Sequence, residues 1–426
     1  MLDAKVKSVY ENILISQLQP AMGCTEPIAI AYAASIVRDA LGDMPTKIEA
    51  RLSGNIIKNV KSVIVPATGG KHGIEAAICA GLASGRCDLG LQVLSVLGSD
   101  DEAKIDELLG SCEITIEKKS SGCSFELELT GYCDDDVASV SISGAHTNVT
   151  SVKLNGCHLT HRYRTTQVNV DDDEELDYGL LNVEDIVNFA DEVDLDTLTP
   201  YLNRQIELNM AIAEEGLRGD WGANIGRVIL SMGEDLPRKA RAYAAAGSDA
   251  RMSGCEKAVC IISGSGNQGI TASVPVVVYA REMGKSDEEL LRALIVSDLI
   301  TIHQKTGIGT LSAYCGAISA GVGAGAGICY LYGGKYREIA HTIVNAVAIL
   351  SGTICDGAKP SCAAKIAMSV EAGIMGYEMW RTGKQFHGGD GIVTKGVENT
   401  IKNVGRLAKE GMSDTDREII EIMLGI

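Results

Sequence analysis

The chain has 426 residues and a formal charge of −18, and its length is sufficient for two or three domains. So acidic a chain lacks the basic face that a nucleic-acid-binding protein needs. An anionic small molecule is not excluded, because the charge of a site is local. Apolar residues make up 46% of the sequence but aromatic residues only 4%, and there are 48 glycines. This composition predicts a large core of closely packed helices.

The cysteine content and the first residues bear on the cellular compartment. The thirteen cysteines are an odd number, and Met1 is followed by a charged amphipathic segment that does not resemble a signal peptide. We therefore expect a reducing, cytoplasmic setting without a disulfide framework. Residues 258–280 and 311–332 are uncharged and long enough to span a membrane. Polar residues and a proline interrupt the first and the second is mostly glycine and alanine, so we expect buried helical segments and no membrane span.

The first elements place a cysteine before a helix. Residues 4–20 have apolar side chains at helical spacing, which predicts an amphipathic helix. Thr25 suits an N-cap position and Pro27 a first turn, so a second helix should run from there to about Leu41. Cys24 would then lie at a helix N-terminus, where the helix dipole favours a thiolate and lowers the pKa of the cysteine. The alternative is a cysteine packed in a loop.

An α/β region follows. Short strands are predicted at 47–52 and 62–65, separated by a loop that contains Asn55. Between residues 88 and 157, β-branched segments predict an inserted subdomain with an antiparallel sheet. Its strands are expected at 91–97, 113–118, 124–130, 138–143 and 151–154, with a helix at 100–109. The acidic run 171–177 is expected to be a solvated connector.

From about residue 182 the sequence predicts one helix after another. Amphipathic segments are expected at 183–191, 195–214, 220–231, 234–252, 287–301, 335–350, 363–380 and 413–424. The predicted fold class is therefore α+β, with an N-terminal α/β domain at 1–175 that contains a small mixed or antiparallel sheet. A large all-helical domain is expected at 176–426. The glycine-rich run 321–327 indicates close approach of two helices, because a nucleotide-binding loop would need a preceding strand.

Three cysteines of the helical part suggest a metal site. Cys355 and Cys362 stand seven residues apart around an Asp-Gly turn, and Cys315 stands forty residues earlier. Thiols near turns and helix ends fit a soft-metal site with one ligand missing. An iron–sulfur cluster held by three cysteines leaves one iron open to act as a Lewis acid. Neither spacing is a common zinc or ferredoxin pattern, so ordinary buried cysteines that pack as small hydrophobes are the alternative.

Polar residues inside apolar stretches are candidates for substrate binding. The segment 263–269 interrupts an apolar run, and a loop that directs N–H groups, Ser265 and Asn267 at an anion would satisfy its polar groups. A simple helix–helix turn is the alternative. Lys305, between apolar stretches, and Lys359, within the Asp-Gly turn, are candidate buried cations for a carboxylate. The alternative for both is a surface lysine whose charged end extends into solvent.

Four motifs together resemble the L-cysteine desulfidase family, which is related to the α part of iron–sulfur L-serine dehydratases. They are Gly-Cys-Thr-Glu-Pro at 23–27, Ser-Gly-Asn-Gln-Gly at 265–269, Cys-Gly-Ala at 315–317 and Cys-Asp-Gly-Ala-Lys-Pro-Ser-Cys at 355–362. The resemblance covers essentially the whole chain. Serine dehydratases space their last two cysteines further apart and have an added β domain, so the chain is more similar to the desulfidases.

The resemblance implies a cofactor and a set of site residues. Cys315, Cys355 and Cys362 would hold a [4Fe–4S] cluster, and Cys24 would be the general base. The candidates for holding the amino and carboxylate groups of the substrate are Thr25, Glu26, Asn55, Ser265, Asn267, Lys305 and Lys359.

The implied reaction is an elimination from an amino acid without pyridoxal phosphate. L-Cysteine would be converted to pyruvate, ammonia and hydrogen sulfide. Two alternatives remain open at this point: an L-serine dehydratase of the iron–sulfur type, and a non-catalytic iron–sulfur or sulfide-binding protein. The expected partner is a small-molecule amino acid, with no nucleic acid and no membrane, and a homo-oligomer is left open.

Overall fold

The computed structural model describes residues 2–119, 124–163, 176–309 and 311–425, and it is mostly helical with a six-stranded sheet in its N-terminal part. The α-helices are α1 (Ala4–Gln17), α2 (Thr25–Leu41), α3 (Gly54–Val60), α4 (Ile74–Ser84), α5 (Asp101–Ser111), α6 (Val183–Glu192), α7 (Thr199–Arg218), α8 (Ile225–Ser231), α9 (Leu236–Met252), α10 (Gly266–Glu282), α11 (Asp287–Ile308), α12 (Gly316–Leu331), α13 (Tyr336–Leu350), α14 (Cys362–Arg381), α15 (Val397–Arg406) and α16 (Ser413–Leu424). The strands are β1 (Pro20–Met22), β2 (Lys47–Leu52), β3 (Glu113–Lys118), β4 (Glu126–Cys133), β5 (Asp136–Ser143), β6 (Val149–Leu154), β7 (Cys157–His158) and β8 (Ala258–Cys260). The predicted α+β class is confirmed.

Helix α2 begins close to where its sequence indicates. Cys24 takes the extended conformation of an N-cap, and Thr25, which the sequence suggested for that position, is the first helical residue. Pro27 lies in the first turn, where its missing N–H needs no partner. The helix ends at Gly42, and nearly all of its residues are buried, because α2 packs against both α4 and the sheet. Its first turn is therefore fixed deep inside the molecule.

The sheet is mixed, with strand order β3-β2-β4-β5-β6-β7. The β2–β3 pair is parallel and the other neighbouring pairs are antiparallel. One face is apolar and buried through Leu127, Leu129, Val140 and Ile142, and this face packs on α2. The sheet thereby holds the turn between β5 and β6, residues 144–148, in a fixed position relative to that helix.

Three segments of the N-terminal part differ from the sequence-based prediction. Residues 91–97, predicted as a strand, form the end of a 3-10 helix followed by turns, because a short apolar run does not distinguish a strand from a buried turn. In the segment 62–65, also predicted as a strand, Ile64 makes only an isolated bridge to His72. The expected loop after β2 contains the short helix α3, whose N-cap is Ser53.

The helices of the C-terminal part approach one another through glycines. A Cβ atom at Gly321 of α12 would clash with the carbonyl group of Ser369 in α14, and one at Gly325 would clash with Gly373. The run 321–327 therefore allows close helix packing, as its sequence predicts. This packing fixes the N-termini of α12 and α14 relative to each other.

The N-terminal and C-terminal parts are joined by more than the chain itself. Strand β8 pairs antiparallel with β1, so the prediction of an all-helical C-terminal part is wrong at 258–260, where buried backbone groups need partners. Both parts contribute to one hydrophobic core. Residues 164–175, which include most of the acidic run 171–177, lie outside the described residues, so the division near 175 stays a prediction. In the described ranges no helix is long and apolar enough to cross a membrane.

Candidate active site

Four helix N-termini meet at one pocket. Cys24, Ser265 and Cys315 are the N-cap residues of α2, α10 and α12, and Cys362 is the first residue of α14. None of these four helices has a side-chain hydrogen bond at its N-cap. The first backbone N–H groups and the positive ends of the helix dipoles are thus directed at the pocket, which favours anions such as thiolates and carboxylates.

The pocket brings together nine of the eleven residues that the sequence suggested for the site. These nine are Cys24, Thr25, Glu26, Ser265, Asn267, Lys305, Cys315, Cys355 and Cys362. Asn55 and Lys359 do not line the pocket. Asn55 is buried in α3, and Lys359 forms an ion pair with Asp356 and donates a hydrogen bond to the carbonyl group of that residue.

Two chain segments place Cys315, Cys355 and Cys362 in the pocket. The segment before α12 and the segment before α14 pair as a short antiparallel bridge between Tyr314 and Ile354. Within it, the N–H of Cys315 donates to the carbonyl of Thr353 over 3.0 Å, and the N–H of Cys355 donates to the carbonyl of Ala313 over 2.6 Å. These backbone bonds hold two thiols side by side. The third, Cys362, follows one turn later at the start of α14.

Three thiols in one pocket are donors of the kind that hold iron–sulfur clusters. In the parts of the chain that the structure describes, no three His, Cys, Asp or Glu side chains are close enough to hold one ion. A cluster separates its thiolates more widely, because each binds a different iron. Burial, with the neighbouring Cys355 thiol, raises the pKa of Cys315 to about 12, and burial also raises the pKa of Cys362. These cysteines are therefore thiols in the absence of metal, and a bound metal would have to deprotonate them.

In the same pocket, Cys24 and Glu26 form a hydrogen-bonded pair. The Cys24 thiol donates to Oε2 of Glu26 over 3.0 Å, and Nδ2 of Asn59 donates to Oε1 over 3.0 Å. The Thr25 hydroxyl lies 3.3 Å from Oε2 of Glu26 and donates to the carbonyl group of Gly264 over 2.9 Å. The carboxylate is therefore buried but well provided with donors.

The pKa of Cys24 shifts in the direction opposite to the sequence-based expectation. The cysteine does lie at the N-terminus of α2, but burial and the nearby carboxylate of Glu26 raise its pKa well above the ordinary value. A helix dipole contributes roughly 1 kcal/mol, whereas burial of a charged group shifts a pKa by up to about 3–5 units. Burial dominates, and the resting residue is a thiol.

His146 completes this arrangement from the sheet and was not suggested by the sequence. It lies in the turn between β5 and β6, is only 5% exposed, and places Nε2 3.7 Å from Oε1 of Glu26. Its ring contacts Phe125 with a centroid distance of 4.5 Å. Burial alone would raise the pKa of Glu26, but its contacts with His146 and Cys24 lower that pKa to about 2.

The cations of the pocket come from three helices. Lys58 of α3 is paired with Asp416 of α16 over 2.6 Å. Lys305 of α11 is buried, which lowers its pKa to about 8 against the opposing influence of the Cys355 and Cys315 thiols. Arg251, at the end of α9, is also buried against the pocket and was likewise not suggested by the sequence.

The chain was compared with known proteins. The family model described as serine dehydratase alpha chain matches residues 88–421, which include the three pocket cysteines but not the segment around Cys24. A UPF0597 protein of Desulfitobacterium hafniense is 52% identical over 97% of this chain and 96% of its own length. UPF0597 proteins of Finegoldia magna and Treponema denticola are 45% and 43% identical, over 97% and 99% of this chain and 99% of their own lengths. The chain therefore belongs to the serine dehydratase alpha chain family, among relatives that are UPF0597 proteins.

Proposed function

We propose that this protein is an iron–sulfur lyase that converts L-cysteine to pyruvate, ammonia and hydrogen sulfide. The observation that carries the proposal is that one pocket contains Cys315, Cys355 and Cys362 together with a fourth thiol, Cys24, that is hydrogen-bonded to the Glu26 carboxylate. Membership of the serine dehydratase alpha chain family supports a lyase. The motifs around Cys24 and at 355–362 favour L-cysteine as the substrate.

Cys315, Cys355 and Cys362 would hold a [4Fe–4S] cluster. When bound, such a cluster supplies an iron without a protein ligand, which as a Lewis acid makes a thiolate or hydroxyl on Cβ a better leaving group. The convergent N-termini of α12 and α14 stabilise the negative charge of the thiolates that hold it. No pyridoxal phosphate is required, because the leaving group itself is activated.

The proton chemistry falls to Cys24 and Glu26. The Cys24 thiolate would remove the Cα proton of the substrate, and the 3.0 Å hydrogen bond between the resting thiol and Glu26 would position the sulfur for this step. Because the pKa of Cys24 is raised, its thiolate is a stronger base than an ordinary one. The electron pair of the Cα–H bond forms the Cα–Cβ double bond, and the Cβ–S bond breaks with its electrons on sulfur. The released aminoacrylate tautomerises and is hydrolysed by water to pyruvate and ammonia.

A second candidate, L-serine dehydratase, is favoured by the description of the family model. The same residues would act on a hydroxyl leaving group, and water would replace sulfide as the product. A pocket that discriminates a thiol from a hydroxyl must do so at the leaving group, because the rest of the two substrates is identical.

Anaerobic purification and assay test the proposal. We expect iron and inorganic sulfide to co-purify with the chain, and we expect pyruvate and sulfide to form in equal amounts from L-cysteine. Pyruvate from L-serine alone would establish the second candidate. A protein with a full complement of iron and sulfide that releases pyruvate from neither substrate would be a non-catalytic binding protein, and the proposal would be wrong.

A further inference from the structure

Arg251 is a buried cation, only 2% exposed, and two of its three nitrogens, Nε and Nη2, have no hydrogen-bond partner among the described residues. These two nitrogens lie on the same edge of the guanidinium group, the edge that binds both oxygens of a carboxylate at once. A buried charge with unsatisfied donors is costly unless an anion completes it. Because Arg251 lines the pocket, that anion belongs in the pocket.

The N-terminus of α10 is a second, independent indication of an anion site beside Arg251. A Cβ atom at Gly266, the first residue of α10, would clash with Nε of Arg251. The glycine therefore lets the guanidinium group lie against the first turn of the helix. Ser265, the N-cap, makes no side-chain hydrogen bond to that turn. The free N–H groups of the turn and the guanidinium edge thus offer positive charge to one anion.

Two amide oxygens without hydrogen-bond donors line the same pocket as Arg251. Oδ1 of Asn267 and Oε1 of Gln268 are both buried, line the pocket and have no hydrogen-bond donor among the described residues. Gln268 packs against Gly316, the residue that follows Cys315, so its amide lies near the pocket cysteines. Amide oxygens are suitable acceptors for an ammonium group. Anion donors and ammonium acceptors in one pocket match the two charges of an α-amino acid.

We propose that Arg251 and the N-terminus of α10 bind the α-carboxylate of the substrate, while the amide oxygens of Asn267 and Gln268 bind its α-ammonium group. This inference rests on the proposed function and assigns the residues that hold the two charged groups of its substrate. Of the other two cations of the pocket, Lys58 is paired with Asp416, and burial lowers the pKa of Lys305 to about 8, which leaves Arg251 as the more permanent charge. Held in this way, the substrate keeps Cβ free to face the cysteines.

Two small thiols, each with only one of the substrate's charged groups, test the carboxylate site and the ammonium site separately. 3-Mercaptopropionate keeps the thiol and the carboxylate, and cysteamine keeps the thiol and the ammonium group. Binding of each to anaerobically prepared protein is measured by titration calorimetry, which needs no turnover. In Arg251→Gln, the affinity for 3-mercaptopropionate should fall by roughly 10- to 100-fold, the usual range for losing hydrogen bonds to a charged group. The affinity for cysteamine should stay the same.

Two further variants guard against a simple loss of folding. Arg251→Lys keeps the positive charge but cannot form the bidentate hydrogen bonds of the guanidinium edge. Gly266→Ala keeps the arginine but displaces that edge. Both variants should bind 3-mercaptopropionate more weakly than the unaltered protein does, and both should bind cysteamine with unchanged affinity. The matched control is Arg241→Lys on the same helix, where the arginine pairs with Glu371 over 2.9 Å outside the pocket. It should bind both compounds as the unaltered protein does.

The outcomes distinguish this inference from the proposed function. If 3-mercaptopropionate binds and depends on Arg251, but neither L-cysteine nor L-serine is turned over, the carboxylate site stands and the proposed function fails. If L-cysteine is turned over and the Arg251 variants bind both compounds normally, the carboxylate site is wrong and the function stands. The assignment of Arg251 to the carboxylate would also be wrong if its variants lost affinity equally for both compounds. It would be wrong as well if the unaltered protein did not bind 3-mercaptopropionate.

Discussion

The Cys24 thiol and the Glu26 carboxylate are joined by a 3.0 Å hydrogen bond within the first turn of α2. Cys24 is the N-cap residue of α2, and Glu26 lies in the first turn of the same helix, so the two side chains are close to each other. The carboxylate raises the pKa of the thiol and is itself kept ionised by its donors. The two side chains therefore act as one acid–base unit, in which neither can be changed without altering the protonation of the other.

The first prediction concerns Cys24→Ala. If Cys24 is the base, turnover should fall by roughly 10²–10⁴-fold, the usual contribution of a general base. Exchange of the Cα proton with deuterated solvent should fall with it, whereas iron content should not change. The measurements are the pyruvate rate, the proton exchange followed by NMR, and the iron analysis on one preparation. Cys255→Ala, at a buried cysteine outside the pocket, is the control. A normal pyruvate rate in Cys24→Ala would rule out the base.

The second prediction concerns the three proposed cluster ligands. Alanine at Cys315, Cys355 or Cys362 should remove iron, inorganic sulfide and activity together, because three thiolates are the minimum that hold the cluster. Cys329→Ala is a matched control, since Cys329 is buried in α12, the helix that begins after Cys315, and does not line the pocket. It should keep its iron. Iron content and turnover that survive in Cys355→Ala prepared without oxygen would contradict the ligand assignment.

The sequence predicts those features of the site that depend on neighbouring residues in the chain. Pro27 in a first turn marks the start of α2 and thereby places Cys24 at a helix N-terminus. The Asp-Gly turn likewise separates Cys355 from Cys362 within a short segment. Such signals depend on neighbouring residues only. They locate the chemistry along the chain without showing what surrounds it.

The parts that were missed depend on contacts between distant segments. His146 lies in a Gly-Ala-His-Thr turn that is typical of a solvated hairpin, yet the packing of the sheet on α2 buries it beside Glu26. Arg251 lies in the last turn of α9, where a basic residue ordinarily faces solvent and complements the helix dipole. The pKa of Cys24 was mispredicted for the same reason, because burial is a property of the fold.

The third prediction concerns His146→Gln and the pH dependence of the rate. Burial is the largest influence on the pKa of Glu26, and His146 is the main counterweight. Removing the histidine should therefore raise that pKa. Glu26 would then be protonated over more of the acid range, where it no longer holds the Cys24 thiol as a carboxylate does. We expect kcat/KM to fall most at the acid end, so that the acid limb moves to higher pH.

The control for His146 lies in the same sheet. His158→Gln alters an exposed residue of β7 and should leave the pH profile unchanged. Iron content is measured in both variants, because a structural role for His146 would lower the rate equally at all pH values. A uniform loss, without movement of the acid limb, would contradict the interaction with Glu26.

The last prediction concerns a buried carboxylate outside the pocket. Asp298 of α11 accepts a hydrogen bond from Nε2 of Gln205 over 3.0 Å through Oδ1, while Oδ2 has no partner among the described residues. Burial raises the pKa of Asp298 to about 8. Because this pKa lies above the ordinary value of 3.8, the folded state binds more protons than the unfolded state between those two values. The free energy of unfolding should therefore fall as the pH rises through that window.

Asp298→Asn removes the charge but keeps the acceptor for Gln205. The variant should be more stable than the unaltered protein, and its advantage should grow between pH 5 and pH 8, by at most about 1.4 kcal/mol per pH unit. Urea unfolding of anaerobically prepared protein at both pH values measures the difference. Asp287→Asn, at an exposed position at the start of the same helix, should show no such growth. An advantage of Asp298→Asn that is constant or shrinks with rising pH would mean that Asp298 is ionised in the folded protein, paired in a way that offsets its burial.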